Sequence, residues 1–257
     1  MKIVTNLEND ITDILTHMNA NNPIVIPTDT NYNLACFPTS EEAIDKIFTY
    51  KQRPKDKPLS LFFLDPADWK KYGVCKNEQL MELLVTRFLP GPFNIIVDKK
   101  DTKYDYMLNG VDSIALGCIS NPTWRKFMEY LDGNPIAITS ANISGTVDDM
   151  LVTKEIAVSQ LGGCVKYFIE SEQPIKTSKS STIVLLKENG IKIHPARMPF
   201  EVPRFFINLL TDENDIVMDC FAGSNTTGYC AEEAKRRWIS VEADKDYYMG
   251  SKYRFIR

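Results

Sequence analysis

The chain has 257 residues, which at ~100–200 residues per domain means one large domain or two unequal ones. Its 44% hydrophobic and 25% charged residues are ordinary for a globular protein and exclude disorder, collagen and coiled coil for most of the length. Thirty Lys and Arg against 34 Asp and Glu give a net charge of -4, which excludes a wholly basic nucleic-acid coat but not a local basic patch. Residues 23–27 form a short β-branched run that predicts a buried strand. Thr39 or Ser40 then caps a helix with Ala43, Ile44, Ile47 and Phe48 on its apolar face and Glu41 and Glu42 in its first turn. A second helix is predicted near residues 78–88, with Leu80, Leu83, Leu84 and Phe88 on one stripe and a stop at Pro90-Gly91-Pro92. Strands are predicted at 93–97, 112–116 and 135–139, and a helix at 124–131. Residues 182–186 read as a strand joined by a hairpin at Glu188-Asn189-Gly190 to residues 191–193. Beyond residue 195 the pattern is a helix at 202–210, a strand at 215–219, a helix from about 227 to 235 and a strand at 237–242. The expectation is an α/β protein with a twisted open mixed sheet and helices in residues 1–195, followed by a C-terminal βαβ Rossmann-like piece in 196–257.

No apolar run reaches the ~18 residues of a membrane span. The first residues, Met1-Lys2-Ile3-Val4-Thr5-Asn6, are soon followed by acidic ones and do not resemble a secretory signal, so the expectation is a cytoplasmic protein with no membrane partner. Cys36, Cys75, Cys118, Cys164, Cys220 and Cys230 are scattered without a C-x-x-C pair and read as reduced, mostly buried thiols. With only His17 and His194 as histidines, no metal centre is expected and a Ser-His-Asp triad has little material.

Lys51-Gln52-Arg53-Pro54-Lys55-Asp56-Lys57-Pro58 ends the first predicted helix with four cations. Such a loop suits a polyanion, because Arg grips phosphate oxygens bidentately and Lys acts as a point charge. The competing use is a solvated helix end whose cations complement the dipole. Hydroxyl-rich turns follow two strands, at Pro27-Thr28-Asp29-Thr30-Asn31-Tyr32 and at Thr139-Ser140-Ala141-Asn142-Ile143-Ser144-Gly145. Either can cradle a polar ligand or serve as an ordinary turn.

Taken in order, Pro27-Thr28-Asp29-Thr30-x-Tyr32, Lys51-x-Arg53-Pro54-x-x-Lys57-Pro58-Leu59, Leu89-Pro90-Gly91-Pro92, Ser140-Ala141-Asn142-x-Ser144-Gly145 and Ser181-Thr182-Ile183-Val184 resemble the YrdC-like threonylcarbamoyl-AMP synthase family over about residues 10–194. The resemblance implies an enzyme, a nucleotidyltransferase that joins L-threonine, bicarbonate and ATP into threonylcarbamoyl-AMP with release of pyrophosphate, for the t6A modification of tRNA. It implies a basic concave surface, with double-stranded RNA as a further partner. It also implies roles for single residues: Thr30 and Ser181 on threonine; Lys51, Arg53 and Lys57 on ATP phosphates, the first two as catalytic groups; Ser140 and Asn142 toward the nucleotide; Mg2+ neutralising the triphosphate. The chain departs from the family pattern at Asn33, where glycine is usual, at Gly117 and Ile119, where arginine and proline are usual, and at Leu185, where Asp is usual. A late family arginine falls near His194, where Arg197 is a substitute.

In the tail, Asp219-Cys220-Phe221-Ala222-Gly223-Ser224-Asn225-Thr226-Thr227-Gly228 lies between a predicted strand and helix, and Glu242 ends the next strand. A glycine turn admits a ligand to the backbone and a strand-end acid accepts ribose hydroxyls. Tyr229 stands where a phosphate-binding P-loop needs Lys, which excludes that motif. With His194-Pro195-Ala196-Arg197-Met198-Pro199, Arg236-Arg237-Trp238-Ile239-x-x-Glu242 and Gly250-Ser251-Lys252-Tyr253-Arg254-Phe255, the tail resembles the C-terminal end of N6-adenine or N4-cytosine DNA methyltransferases. That resemblance implies S-adenosylmethionine as cofactor, held by Asp219, Phe221, Gly223, Thr226 and Glu242. The Asp/Asn-Pro-Pro-Tyr/Phe tetrapeptide that holds a flipped base in that family occurs nowhere in the chain, so this chain alone is not expected to methylate DNA. One alternative to the synthase is therefore the cofactor-binding part of a split methyltransferase acting on DNA with a partner chain; another is a non-catalytic nucleotide- or nucleic-acid-binding module.

Overall fold

The computed structural model describes residues 1–53, 57–144, 152–175, 181–187, 190–193, 200–223 and 225–242. It divides into two compact units, Met1–His194 and Pro195–Arg257.

The first unit runs β1 (Lys2–Val4), α1 (Leu7–Asn19), β2 (Ile24–Pro27), β3 (Tyr32–Cys36), α2 (Glu41–Lys51), β4 (Ser60–Phe62), α3 (Trp69–Tyr72), β5 (Gly73–Val74) and α4 (Glu78–Phe88). It continues with β6 (Phe93–Lys99), α5 (Asp105–Leu108), β7 (Ser113–Gly117), α6 (Pro122–Glu129), β8 (Ile136–Ser140), α7 (Lys154–Leu161), β9 (Tyr167–Ile169), β10 (Thr182–Lys187) and β11 (Gly190–Ile193). Short polar side chains start the helices by accepting an otherwise orphaned amide: Asn6 from Glu8, Ser40 from Ala43, Asn77 from Leu80 and Asn121 from Trp124.

The strands form one mixed sheet in the order β1-β9-β2-β3-β8-β4-β7-β6-β10-β11, with β5 pairing off the path on β6. Alternation divides its side chains between two cores. On one face Leu34, Leu61, Ile95 and Leu116 pack with Ile44, Ile47 and Phe48 of α2 and Met81, Leu84 and Val85 of α4. On the other, Ile24, Ile26, Phe62 and Ile138 pack with Ile11, Ile14 and Met18 of α1 and Trp124 and Phe127 of α6. Beyond α1 and α6 that second face stays open, with Ser60, Ile96, Ala115, Ile183 and Leu185 half-buried. The strands β8, β4, β7 and β6 separate β3 from β10 in the order. Even so, the turn before β3 touches the residue before β10, because strand twist accumulates and curls the open face into a concavity.

The second unit contains α8 (Glu201–Leu210), β12 (Ile216–Asp219), α9 (Thr226–Glu233) and β13 (Arg237–Ser240). β12 and β13 pair in parallel, Ile216 opposite Arg237 and Asp219 opposite Ser240. Ile207, Cys230 and Ala231 form its small core, with Val217 and Trp238 packed against it.

Several expectations change. The second helix has the expected bounds, but its buried face is Met81, Leu84 and Val85; Leu83 and Phe88 are exposed, and Phe88 stacks on Phe93 instead. Leu84 belongs to both faces, and the sheet approaches α4 about a quarter of a turn from the middle of the Leu-rich stripe, so tertiary packing shifts the buried face. Only Cys36, Cys118 and Cys230 are buried; Cys164 and Cys220 are exposed. β1, α1, β3, β4, α7 and β9 were not foreseen. β3 reads Tyr-Asn-Leu-Ala-Cys with every residue buried, so it shows no alternation, and its Asn argues against a strand.

The face covered by α1 and α6 generates a direct test. Phe127 is fully buried there, so Phe127→Ala should lower the unfolding free energy by about 3–5 kcal/mol, read as a reduced urea midpoint at an unchanged slope.

Candidate functional site

The turn between β2 and β3 is organised around one hydroxyl. Thr28 Oγ1 donates to the Asn31 carbonyl at 2.7 Å and accepts from the Asn31 amide at 3.2 Å and from Asn33 Nδ2 at 3.1 Å. Asp29 is clamped from the start of α6: its carboxylate accepts from the Ser120 amide at 3.0 Å and from Ser120 Oγ at 2.7 Å. Asn121, the cap of α6, donates to Ser171 Oγ at 3.0 Å and to the Thr28 carbonyl at 3.4 Å. This network leaves Thr30 buried with its Oγ1 3.3 Å from Ser181 Oγ, although the two are 151 positions apart in the chain. The two residues assigned to threonine from sequence therefore meet.

Beside Thr30 a cavity of about 440 Å³ is lined by Tyr32, Lys154, Glu155, Glu170 and Glu172 among others. Lys154 and Glu170 form a 2.6 Å ion pair there, and the Glu170 carboxylate holds the Lys154 ammonium above its ordinary value. Burial pushes the Tyr32 phenol up, and its oxygen accepts from the Ser171 amide at 3.3 Å.

The basic loop divides into parts with different positions. Lys51, the last residue of α2, is 1% exposed. Its ammonium donates to the Ser140 carbonyl, to the Asn142 carbonyl at 2.7 Å and toward Ser140 Oγ at 3.3 Å, while its own carbonyl accepts from the Ser144 amide at 2.8 Å. Expected as an ATP-phosphate ligand, Lys51 is enclosed beneath the end of β8 and the loop after it, where those carbonyls take up its donors. Burial, with the Arg53 charge beside it, pushes the ammonium down to about 7. Gln52 adopts a left-handed conformation with φ 49°, which turns the chain out of the helix and sends Arg53 to the surface side. Arg53 Nε donates to the Lys57 carbonyl at 3.1 Å and Nη2 to the Pro58 carbonyl at 3.0 Å, which ties the loop ends together. Lys57 is exposed. Pro54, Lys55, Asp56, Gly145, the hairpin residues Glu188 and Asn189, residues 194–199 with His194 and Arg197, Ser224 and residues 250–255 lie outside the described residues.

The two clusters are joined through the sheet. Asn33 and Ser140 are cross-strand partners on β3 and β8, so Lys51, Ser140, Asn33 and Thr28 form one chain of contacts. Asn33 does not adopt a positive φ; it is an ordinary strand residue whose amide braces the Thr28 turn.

At Gly117 the structure explains why no side chain stands there. An added Cβ would meet a Phe62 ring carbon at 2.6 Å and Asn94 Oδ1 at 2.7 Å. The Phe62 ring is itself buried against Trp124, 5.8 Å between centroids. The Asp29–Ser120 clamp, Asn121 and Asn94 were missed from sequence. Asn94 carried a legible signal, a polar amide inside the strand Phe-Asn-Ile-Ile-Val.

In the second unit, β12 ends at Asp219, whose carboxylate accepts from the Phe221 amide at 3.0 Å and whose carbonyl accepts from the Val241 amide at 2.8 Å. Gly223 has φ 51° with open space where a side chain would stand, and its amide donates to Glu242 at 2.7 Å. Asn225, also left-handed at φ 58°, caps α9 through the Gly228 amide and accepts from Ser240 Oγ at 2.6 Å. Thr226 is buried at the first turn of α9, whereas Phe221 is 88% exposed. Gly223 and Glu242 are thus brought together, while Phe221 stands largely exposed. Among the described residues no His, Cys, Asp or Glu cluster could hold a metal ion, and no helix is long and apolar enough to cross a membrane.

Comparison with known proteins yields two likenesses. The Sua5/YciO/YrdC family model, described as telomere recombination, matches residues 16–195, and a model described as DNA methylase matches residues 152–252. The two matches overlap over residues that contribute β9, β10 and β11 to the large sheet. A putative threonylcarbamoyl-AMP synthase of Methanocaldococcus jannaschii is 33% identical over 173 residues, 65% of this chain and 76% of that protein. The type II methyltransferase M.PvuII of Proteus hauseri is 52% identical over 67 residues, 26% of this chain, and the chain spans only a fifth (20%) of that protein's length. A crystal structure of Pyrococcus abyssi Sua5 with L-threonine shares the fold at TM-score 0.68 and 18% identity, over 99% of this chain and 88% of that one. With the first model covering well over half its length and an archaeal relative matched across three quarters of its own, this chain belongs to the Sua5/YciO/YrdC family.

Proposed function

We propose that this chain is a threonylcarbamoyl-AMP synthase, making the adenylate from L-threonine, bicarbonate and ATP, with tRNA t6A synthesis as the destination of the product. The observation that carries this reading is the 3.3 Å approach of Thr30 and Ser181 in the concavity, linked through Asn33 and Ser140 to the Lys51–Arg53 corner. The threonine amine and bicarbonate form a carbamate with loss of water. A carbamate oxygen then attacks the α-phosphorus of ATP; the new P–O bond forms as the bond to pyrophosphate breaks, and pyrophosphate leaves. No covalent enzyme intermediate is needed, so the protein's work is alignment of two anions and stabilisation of phosphate charge.

Thr30 and Ser181 hold the amino acid. Arg53 and Lys57 meet the triphosphate, which arrives as its Mg2+ complex, and Ser140 and Asn142 face the nucleotide. Lys51 acts one step behind: its buried ammonium fixes the Ser140–Asn142 backbone to the end of α2. In the second unit the glycine turn and the strand-end acid suit S-adenosylmethionine, with the open φ 51° turn at Gly223 approached by the ligand and Glu242 accepting ribose hydroxyls alongside the Gly223 amide. That cofactor supplies a methyl group when bound. Asp219 and Thr226 shape the loop; double-stranded RNA, or DNA held with a methyltransferase partner chain, is a further partner of this reading.

Pyrophosphate release from ATP with L-threonine and bicarbonate tests the main proposal. Release must depend on all three, and Arg53→Ala should lower kcat/KM by about 10- to 100-fold, the loss of one charge-assisted contact; no release above that variant would overturn it. Thr30→Ala and Ser181→Ala should each raise the KM for L-threonine by about 3- to 10-fold. Lys51 adds a pH signature. Between its folded value of about 7 and its unfolded 10.5, it holds a proton only when unfolded, so raising the pH through this interval stabilises the folded chain. From pH 7 to about 8.5 the wild type should gain about 1–2 kcal/mol over Lys51→Met in chemical denaturation. Calorimetric titration with S-adenosylmethionine tests the tail: Gly223→Trp should abolish the binding heat, and equal heats in both proteins would reject the loop.

A further inference from the structure

The cavity beside Thr30 holds a charged pair that no assigned role uses. Lys154 Nζ donates to Glu170 Oε1 at 2.6 Å, and the two side chains are 37% and 29% exposed. Among the described residues the ammonium makes this one hydrogen bond, so two of its three N–H donors remain for a ligand. Lys154 is also the only cation that lines the cavity among the described residues. The other charges there are the carboxylates of Glu155, Glu170 and Glu172.

Both members of the pair are fixed against the turn that carries Thr30. The Val152 amide donates to Asn31 Oδ1 at 2.7 Å, and the Val152 carbonyl accepts from the Tyr32 amide at 3.1 Å, so this segment is bound to the residues on either side of Thr30's peptide neighbour. Lys154 follows two positions later as the first residue of α7, directly after its cap, Thr153. Glu170 directly follows β9, where Phe168 pairs with Val25 of β2, the strand that leads into the Thr30 turn. The Glu170 amide donates to the Val4 carbonyl at 2.9 Å, and the next amide, of Ser171, donates to the Tyr32 phenol oxygen at 3.3 Å. The ammonium is therefore held from two elements, beside the residue assigned to the amino acid.

The charges on the wall select a chemical class. One cation among three carboxylates repels a simple anion, whereas a zwitterion answers both signs at once. An α-amino acid is such a ligand, and Thr30 lines the same cavity. An ammonium donating to a carboxylate makes a charge-assisted bond about twice as strong as a neutral one, so the single cation of the wall orients the molecule. We propose that Lys154 is a substrate-contacting residue: its ammonium, held at the cavity wall by Glu170, receives the α-carboxylate of the bound amino acid. This inference rests on the synthase reading for the identity of that amino acid as L-threonine.

L-threonine and L-threonine amide, which lacks the carboxylate, are the probes, titrated into the full chain by calorimetry. Wild type should bind the acid about 5- to 15-fold more tightly than the amide, the low end for a charge-assisted bond because Lys154 is partly exposed. Lys154→Met should bind the two within about twofold of each other, and Lys154→Arg should retain the preference. Glu170→Gln breaks the same ion pair without removing the cation, so it too should retain the preference. An undiminished preference in Lys154→Met would overturn the proposal. So would an equal loss in Lys154→Met and Glu170→Gln, the result expected of a pair that only braces α7 against β9. Equal binding of acid and amide by the wild type would also overturn it. A preference erased by Lys154→Met in a protein that releases no pyrophosphate would reject the synthase reading and leave this inference standing. Pyrophosphate release with an unaltered KM for L-threonine in Lys154→Met would do the reverse.

Discussion

One ammonium group ties the first unit's site together. Lys51 Nζ reaches from the last residue of α2 to the carbonyls of Ser140 and Asn142 on the far side of the β8 strand end. A lysine almost wholly withdrawn from water is tolerable only where carbonyls and hydroxyls replace its hydration. Those acceptors come from the last residue of β8 and from the loop that follows it, so the contact ties the loop's path to the end of α2. Through Ser140 it also sets the neighbour of Asn33, and through Asn33 the hydroxyl of Thr28 that shapes the opposite turn. The surface cations Arg53 and Lys57 follow from the same corner, because the left-handed Gln52 redirects the chain immediately after the buried lysine.

The departures from the family pattern read differently with this geometry in view. Asn33, in place of glycine, does not weaken the turn; its amide adds a brace to Thr28. Gly117 is not simply an arginine lost. The Phe62 ring and Asn94 occupy its approaches, so the local packing suits glycine, and a cationic side chain would have to displace a ring buried against Trp124.

The second unit follows a separate logic. A parallel strand pair and one crossing helix leave Ile216, Met218 and Ile239 exposed on the pair, and the small core of Ile207, Cys230 and Ala231 covers only one side. What the unit does build is the turn: two left-handed residues, Gly223 and Asn225, and a glutamate that accepts a backbone amide across the strand ends.

Local chemistry alone determined much of this protein. The capped helix with Ala43, Ile44, Ile47 and Phe48 inward, the break at Pro90-Gly91-Pro92, the β-branched strands and the hairpin partners of β10 and β11 are set by side-chain period and by proline and glycine, all readable in a single stretch of sequence. The hydroxyl-rich turns and the basic loop were also legible as candidate ligand groups. Their relation was not. That Thr30 meets Ser181, that Lys51 is buried while Arg53 is not, that α4 turns Met81 rather than Leu83 inward, and that Asn94 and the Phe62 ring pack against Gly117 all depend on strand order and on the accumulated twist of the sheet. Contacts made across as many as 151 residues of chain have no local signature, because the free energy that fixes them is supplied by burial on both faces of the sheet and not by any one segment.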